Sequence, residues 1–178
     1  RDQIHPPEGS AKVYLDAGMA FGTGSHETTR LCASRLIDYY EASPDRFEQA
    51  RIIDAGCGSG VLAFSASGLG GRNLYAFDND PEAITVCHEN CAHNPHLDRP
   101  YFAGADLQKG LAGEQADLLL ANIQADVLIP HSAPAVMGVQ PGGTTAISGI
   151  RVKEIEEVRQ HYTERFAALR PDDVISLD

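Results

Sequence analysis

Apolar residues recur along this chain in two alternating rhythms. Ile52-Ile53, Leu74–Phe77, Tyr101–Ala103 and Ala116–Ile123 are short and nearly continuous apolar runs. Such runs suit strands covered on both faces of a parallel sheet. Other segments follow a helical period: Cys32, Leu36 and Tyr39; Ile84, Cys87 and Cys91; Ile155, Val158 and Tyr162. The pattern predicts a helix from Glu27 onward, a strand from Arg51, a helix from Val61 and a strand over Asn73–Asp78. Asp80 suits an N-cap and Pro81 the first turn of a helix that runs to about His93 and stops before Pro95. Strands follow over Tyr101–Ala103 and Ala116–Asn122. Asp126 is expected to cap a short or kinked helix containing Pro130 and Pro134. Pro141-Gly142-Gly143 reads as a turn, Thr144–Ser148 as a fifth strand, and Ile155 onward as a final amphipathic helix. Lys12–Asp16 reads as a short strand. Phe166–Leu169 and Val174–Leu177 read as pieces of one more strand around Pro171.

Strands that alternate with helices from Arg51 onward define an α/β class with a mainly parallel sheet. The 178 residues fit one domain with a full core. Residues 1–17 read as a lead-in or linker, with Pro6, Pro7 and Gly9, and residues 18–178 as the folded domain. The charge balance narrows the partners: 14 Lys and Arg against 25 Asp and Glu leave a net charge of −11. A surface of that sign repels a phosphate backbone, so direct nucleic-acid binding is not expected. No apolar run reaches membrane-spanning length and no signal-peptide pattern opens the chain, so no membrane association is expected.

The four cysteines, Cys32, Cys57, Cys87 and Cys91, form no secreted disulfide framework and fit a reducing cytoplasm. Cys87, His88, Cys91, His93 and His96 invite a metal reading. Ile84, Cys87 and Cys91 nevertheless share one helical stripe, which small buried thiols explain, whereas a tetrahedral site needs ligands on several faces. No metal is expected.

The candidate chemistry lies in RIIDAGCGSGVL, Arg51–Leu62. A strand, three spaced glycines at Gly56, Gly58 and Gly60, and a helix make the first half of a nucleotide-binding βαβ unit. Glycine is needed where a ligand must approach the backbone or where φ is positive. A G-x-G-x-G loop alone is a weak signal. Asp78 strengthens it, because a carboxylate about 20 residues on, ending the second strand, is placed to bind ribose hydroxyls. The pair points to a nucleoside cofactor. Ala105-Asp106 and Asn122 lie at the carboxyl ends of two further strands, the edge where open α/β sheets bind ligands.

With these residues in place, the chain resembles the class I S-adenosylmethionine-dependent methyltransferases, and within them the ribosomal protein L-eleven methyltransferase family, often called PrmA. The resemblance rests on DAGMAFGTGSHETTRLC (Asp16–Cys32), IDAGCGSGVLA (Ile53–Ala63), FDNDPEAI (Phe77–Ile84), ADLLLANIQADVL (Ala116–Leu128) and PGG followed by SGI at Pro141–Ile150. It implies a Rossmann-like, doubly wound sheet with helices on both faces. It implies S-adenosylmethionine as cofactor, contacted at Thr29, Gly56, Asp78 and Asn122, with Asp106 near the adenine amino group. Asp54 is placed to orient the glycine loop. The expected reaction is methyl transfer to amino groups, a lysine side chain or an N-terminus, of a protein substrate that the resemblance makes a large-subunit ribosomal protein. Asn122 is expected to position the reacting groups. His26 is the nearest candidate base, with loop packing as its plainer role. Glu27 departs from the family, which has Pro there. The family also carries a smaller substrate-recognition domain and a terminal strand, so the chain is expected to be a catalytic-domain fragment. A methyltransferase of another substrate stays open, as do a silent nucleoside-binding module and a nicotinamide-dependent dehydrogenase. The loop spacing and the FGTG segment argue against the dehydrogenase.

Overall fold

The computed structural model describes residues 11–16 and 26–169. Residues 1–10 of the expected lead-in, the stretch 17–25 and the strand piece Val174–Leu177 lie outside the described residues. In chain order the elements are α1 (Glu27–Ala42), α2 (Pro44–Phe47), β1 (Arg51–Ala55), α3 (Val61–Gly68), β2 (Asn73–Asp78), α4 (Pro81–His93), β3 (Tyr101–Gly104), α5 (Leu107–Gly110) and β4 (Ala116–Asn122). They continue with α6 (Ala125–Leu128), α7 (Ser132–Met137), β5 (Val139–Ser148), a 3-10 turn (Val152–Glu154) and α8 (Ile155–Leu169). Among the described residues no helix is long and apolar enough to cross a membrane.

The sheet runs β3-β2-β1-β4-β5 with every neighbouring pair parallel. The chain therefore winds outward from β1 to β3, returns to the centre at β4 and winds the other way. Crossovers of one hand that travel in opposite directions put their helices on opposite faces. The core shows this residue by residue. Ile53, Ala55, Leu119 and Ala121 face the cluster that includes residues of α5–α8, while Ile52, Leu118 and Leu120 face the cluster built with α1–α3. Successive residues of a strand point to opposite faces, so both sets must be apolar. This is the expected doubly wound α/β class.

The structure corrects four expectations. Lys12–Asp16 is an extended segment without strand pairing; asparagine side chains hold its backbone, with Tyr14 N donating to Asn94 Oδ1 at 2.8 Å. Phe166–Leu169 is the last turn of α8, because Val158, Tyr162 and Phe166 continue one stripe at four-residue spacing and pack on the core. The Pro141-Gly142-Gly143 turn does not end a strand. It is an irregularity within β5, where the register jumps from Ala116↔Val139 to Leu118↔Thr144, and Gly142 has φ 79°. Asp126 does not cap α6: the cap is Gln124, and Asp126 lies in the first turn, where its charge complements the helix dipole. Pro130 falls in the break between α6 and α7, and Pro134 sits in the first turn of α7.

Gly110, at the end of α5, is packed under Phe77, a ring only 1% exposed. A Cβ there would lie 2.6 Å from two ring carbons. Gly110→Ala should therefore destabilise the chain by about 1–3 kcal/mol through overpacking. Urea unfolding measures this, and unchanged stability would mean that the Phe77 ring has room to shift.

Candidate functional site

The carboxyl edge of the sheet is built around the loop that joins β1 to α3. Gly56 N and Cys57 N both donate to Phe77 O, at 2.8 and 3.0 Å, so the loop starts as a continuation of the β1–β2 pairing. It then turns sharply through Gly56, Gly58 and Gly60, with φ of 69°, 53° and 80°. L side chains rarely adopt that region. Space is also short: a Cβ on Gly56 would come within 2.9 Å of the Ile123 side chain, and one on Gly60 within 3.1 Å of Cys87 Sγ. Gly60 N closes the turn on Cys57 O, and Phe64 N donates to Gly60 O to begin α3.

Side chains from two strands and one helix fix this loop. Asp54, 2% exposed at the end of β1, accepts from Ala63 N at 3.1 Å and so ties the strand to the first turn of α3 across the loop. Burial raises its pKa to about 7; the Ala63 N–H opposes that rise and the neighbouring Asp78 charge adds to it. Asp78, half-buried at the end of β2, accepts from Gly58 N at 2.9 Å through Oδ2 and from Asp80 N at 3.0 Å through Oδ1. From α4, Cys87 Sγ donates to Gly58 O at 3.2 Å and Asn90 Nδ2 to Ser59 O at 3.0 Å. Cys57 lies 3.8 Å from Cys87 Sγ to Sγ, and that contact together with burial keeps its thiol well above the usual thiol pKa. Cys87 is a packing group on the stripe expected from the sequence, with Ile84 and Cys91 beside it, and Cys57 packs into the same cluster from the loop.

A second cluster forms where β4 and β5 end under α1. Thr29, 2% exposed in the first turn of α1, accepts from Asn122 Nδ2 at 3.2 Å. Ser148, the register partner of Asn122, lies 3.0 Å from Asn122 Oδ1 and 2.9 Å from Thr28 O, and Cys32 Sγ lies 3.1 Å from its hydroxyl. Thr29 and Asn122, both expected as cofactor contacts, are thus in direct contact. Asp106 stands exposed at the end of β3, where it caps α5 by accepting from Lys109 N at 2.8 Å. His26 is the N-cap of α1, with Thr28 N donating to Nδ1 at 3.3 Å. Glu27 is exposed at the first position of that helix, where Pro fits sterically and an acid suits the dipole, so the family departure is locally harmless.

Gly56, Gly58, Gly60, Asp78, Asp106 and Asn122 therefore line one edge, on either side of the β1–β4 switch point. Asp78 uses one lone pair on each oxygen within the protein, which leaves others for two hydroxyl donors. A surface cavity of about 330 Å³ lies elsewhere, beside the end of α4, lined by residues that include Phe64, His88, Cys91, Leu97 and Arg99. None of the edge residues is among the described residues that line it. The sequence reading assigned no role to Ser148, Asn90 and Asn94. The pairing of a fifth strand end with Asn122 could have flagged Ser148. The two asparagines break an otherwise apolar stripe on α4, and that was the available signal.

Asp54 gives the edge a pH dependence. The folded chain keeps the Asp54 proton up to about pH 7, whereas the unfolded chain releases it near the ordinary 3.8. The folded state binds more protons in that window, so this group's contribution to stability falls as the pH rises through it and is constant above it. Asp54→Asn retains an acceptor for Ala63 N and removes the titration. Between pH ~5 and pH ~8 the wild type should lose about 2 kcal/mol relative to Asp54→Asn in urea unfolding. Parallel stability profiles for the two proteins would contradict an elevated pKa.

Comparison with known proteins agrees with this geometry. The model of the family described as ribosomal protein L11 methyltransferase (PrmA) matches residues 2–171. The chain is 41% identical over 155 residues to the ribosomal protein L11 methyltransferase of Trichlorobacter lovleyi, covering 87% of this chain and 50% of that protein. It is 39% identical over 164 residues to that of Heliobacterium modesticaldum, covering 92% and 50%. The chain thus spans about half the length of the curated relatives it matches. Among solved structures, the ribosomal protein L11 methylase of Lactobacillus delbrueckii subsp. bulgaricus superposes with a TM-score of 0.76 at 27% identity, covering 92% of this chain and 80% of that one. The chain belongs to the ribosomal protein L11 methyltransferase (PrmA) family.

Proposed function

We propose that the chain binds S-adenosylmethionine at the carboxyl edge of its sheet and serves methyl transfer to amino groups of a protein, ribosomal protein L11, at lysine side chains or the N-terminus. The observation that carries this reading is the pairing of Asp78 with a loop of three positive-φ glycines at the switch point, in a chain of this family. The residues fit the cofactor by their chemistry: a carboxylate with spare lone pairs for ribose hydroxyls, backbone that no Cβ obstructs, and the exposed carboxylate of Asp106 for an adenine amino group. When bound, the cofactor supplies an electrophilic methyl group on a sulfonium.

The chain's own residues bind and orient. Asp78 and the loop fix the nucleoside end. Asn122, held by Thr29 on its nitrogen and near Ser148 on its oxygen, has one N–H and one lone pair left to position an incoming amine or the cofactor. The amine must be neutral to attack, against an ordinary lysine pKa of about 10.4. Desolvation at the edge favours loss of that proton, and the Asn122 oxygen orients the amine by accepting one of its N–H groups. His26 is accounted for as a helix cap, so no dedicated base is assigned. Positioning is the main contribution of such a site.

Asp78→Ala should weaken S-adenosylmethionine binding about ten-fold or more in a folded chain, since a hydrogen bond to a charged group is worth about 1.5–3 kcal/mol. Calorimetry with unchanged affinity would remove Asp78 from the site. Asn122→Ala in the full-length enzyme should lower kcat substantially with a smaller effect on cofactor affinity. Lost stability at near-normal specific activity would instead make Asn122 a structural residue. The reading as a whole is tested by incubating full-length protein with labelled S-adenosylmethionine and ribosomal protein L11, followed by mass spectrometry. Label on L11 amino groups is expected, and label on another substrate or on none would overturn the assignment.

A further inference from the structure

The segment 11–16 and helix α4 are joined in a way that the cofactor reading does not require. Asn90, in the last turn of α4, and Asn94, the C-cap of that helix, are four residues apart and 0% and 3% exposed. Each reads one residue of the extended segment through both backbone groups. Asn94 Oδ1 accepts from Tyr14 N at 2.8 Å and Asn94 Nδ2 donates to Tyr14 O at 2.6 Å. Asn90 Oδ1 accepts from Asp16 N at 2.8 Å and Asn90 Nδ2 donates to Asp16 O at 3.1 Å. The spacing matches: four helical residues advance about 6 Å and two extended residues about 6.6 Å. Val13 and Leu15 pack on the Cys57–Phe64–Cys87 cluster. The second N–H of the Asn90 amide donates to Ser59 O, inside the glycine loop, at 3.0 Å.

We propose that Asn90 is a positioning residue that couples docking of the 12–16 segment to the shape of the cofactor loop. Its one buried carboxamide serves both, with two donors and one acceptor all engaged. If the segment leaves, Asn90 loses two of three partners in a dry site, and a buried amide does not stay unsatisfied when it can rotate. The Ser59 bond is then lost as well, and the loop loses an anchor from α4. Asn94 lacks this property, because its second N–H goes to Asn90 O within the helix. The inference rests on the reading of the glycine loop as the cofactor cradle.

Two variants test it from opposite sides. Asn90→Asp keeps the acceptor for Asp16 N and removes both donors. Asp16→Pro removes the Asp16 N–H at an exposed position and keeps Asn90 intact. Asn94→Asp and Tyr14→Pro are the matched controls on the bond pair that does not reach the loop. In ligand-free protein, amide exchange at Gly58 and Gly60 should rise about ten-fold in Asn90→Asp and Asp16→Pro, and less than about three-fold in the controls. S-adenosylhomocysteine affinity should fall in the same order, beyond any change in melting temperature. Loop exchange equal to wild type in a folded Asp16→Pro or Asn90→Asp protein overturns the coupling. Failure of the wild type to bind S-adenosylhomocysteine would overturn the cofactor reading instead, and the exchange data would still decide the coupling.

Discussion

The Gly56–Gly60 loop must turn at three positive-φ residues while packed against Ile123, Phe64 and Cys87, and the rest of the edge depends on that turn. A loop of glycines has little conformational preference of its own, so its shape is imposed from outside. Asp54 holds it from β1, Asp78 from β2, and Cys87 and Asn90 from α4. The parallel order of the sheet brings these anchors together, because β1 lies between β2 and β4.

The two carboxylates near the loop occupy different environments and do different things. Asp54 is enclosed, retains its proton to about pH 7 and braces the first turn of α3. Asp78 is half-buried and accepts two backbone N–H groups at the end of β2. One carboxylate braces the first turn of α3, and the other holds the glycine loop while keeping the lone pairs that the proposed cofactor contact needs. Their closeness contributes to the elevated Asp54 pKa, so filling or altering the Asp78 end should be felt at Asp54. At the far end, Thr29, Asn122 and Ser148 form a buried polar cluster that docks α1 on β4 and β5.

Much of the fold was legible in the sequence, because the apolar runs at Ile52-Ile53, Leu74–Phe77 and Ala116–Ile123 mark strands buried along most of their length, whose limits are set by turn chemistry. Asp80 and Pro81 marked a helix start that the structure reproduces. Legibility failed where local pattern and tertiary contact compete. Phe166–Leu169 is apolar enough for a strand, yet its i,i+4 relation to Tyr162 extends α8. Pro141-Gly142-Gly143 carries turn residues, but pairing with β4 on both sides keeps β5 continuous. Lys12–Asp16 alternates like a strand, and its backbone bonds go to side chains of α4, which no local pattern reveals. The placement of the candidate site residues at one edge was readable, because topology alone puts strand ends there. Ser148 and Asn90 act through partners 26 and 31 residues away, and only the folded chain shows those contacts.

The most direct measurement of the central claim is a crystal structure of the chain with S-adenosylhomocysteine. The account predicts the ribose hydroxyls on Asp78, the nucleoside against the Gly56–Gly60 backbone and the amino-acid end near Thr29 and Asn122. Ligand bound in the cavity beside His88 and Arg99, or bound at the edge with Asp78 untouched, would contradict it.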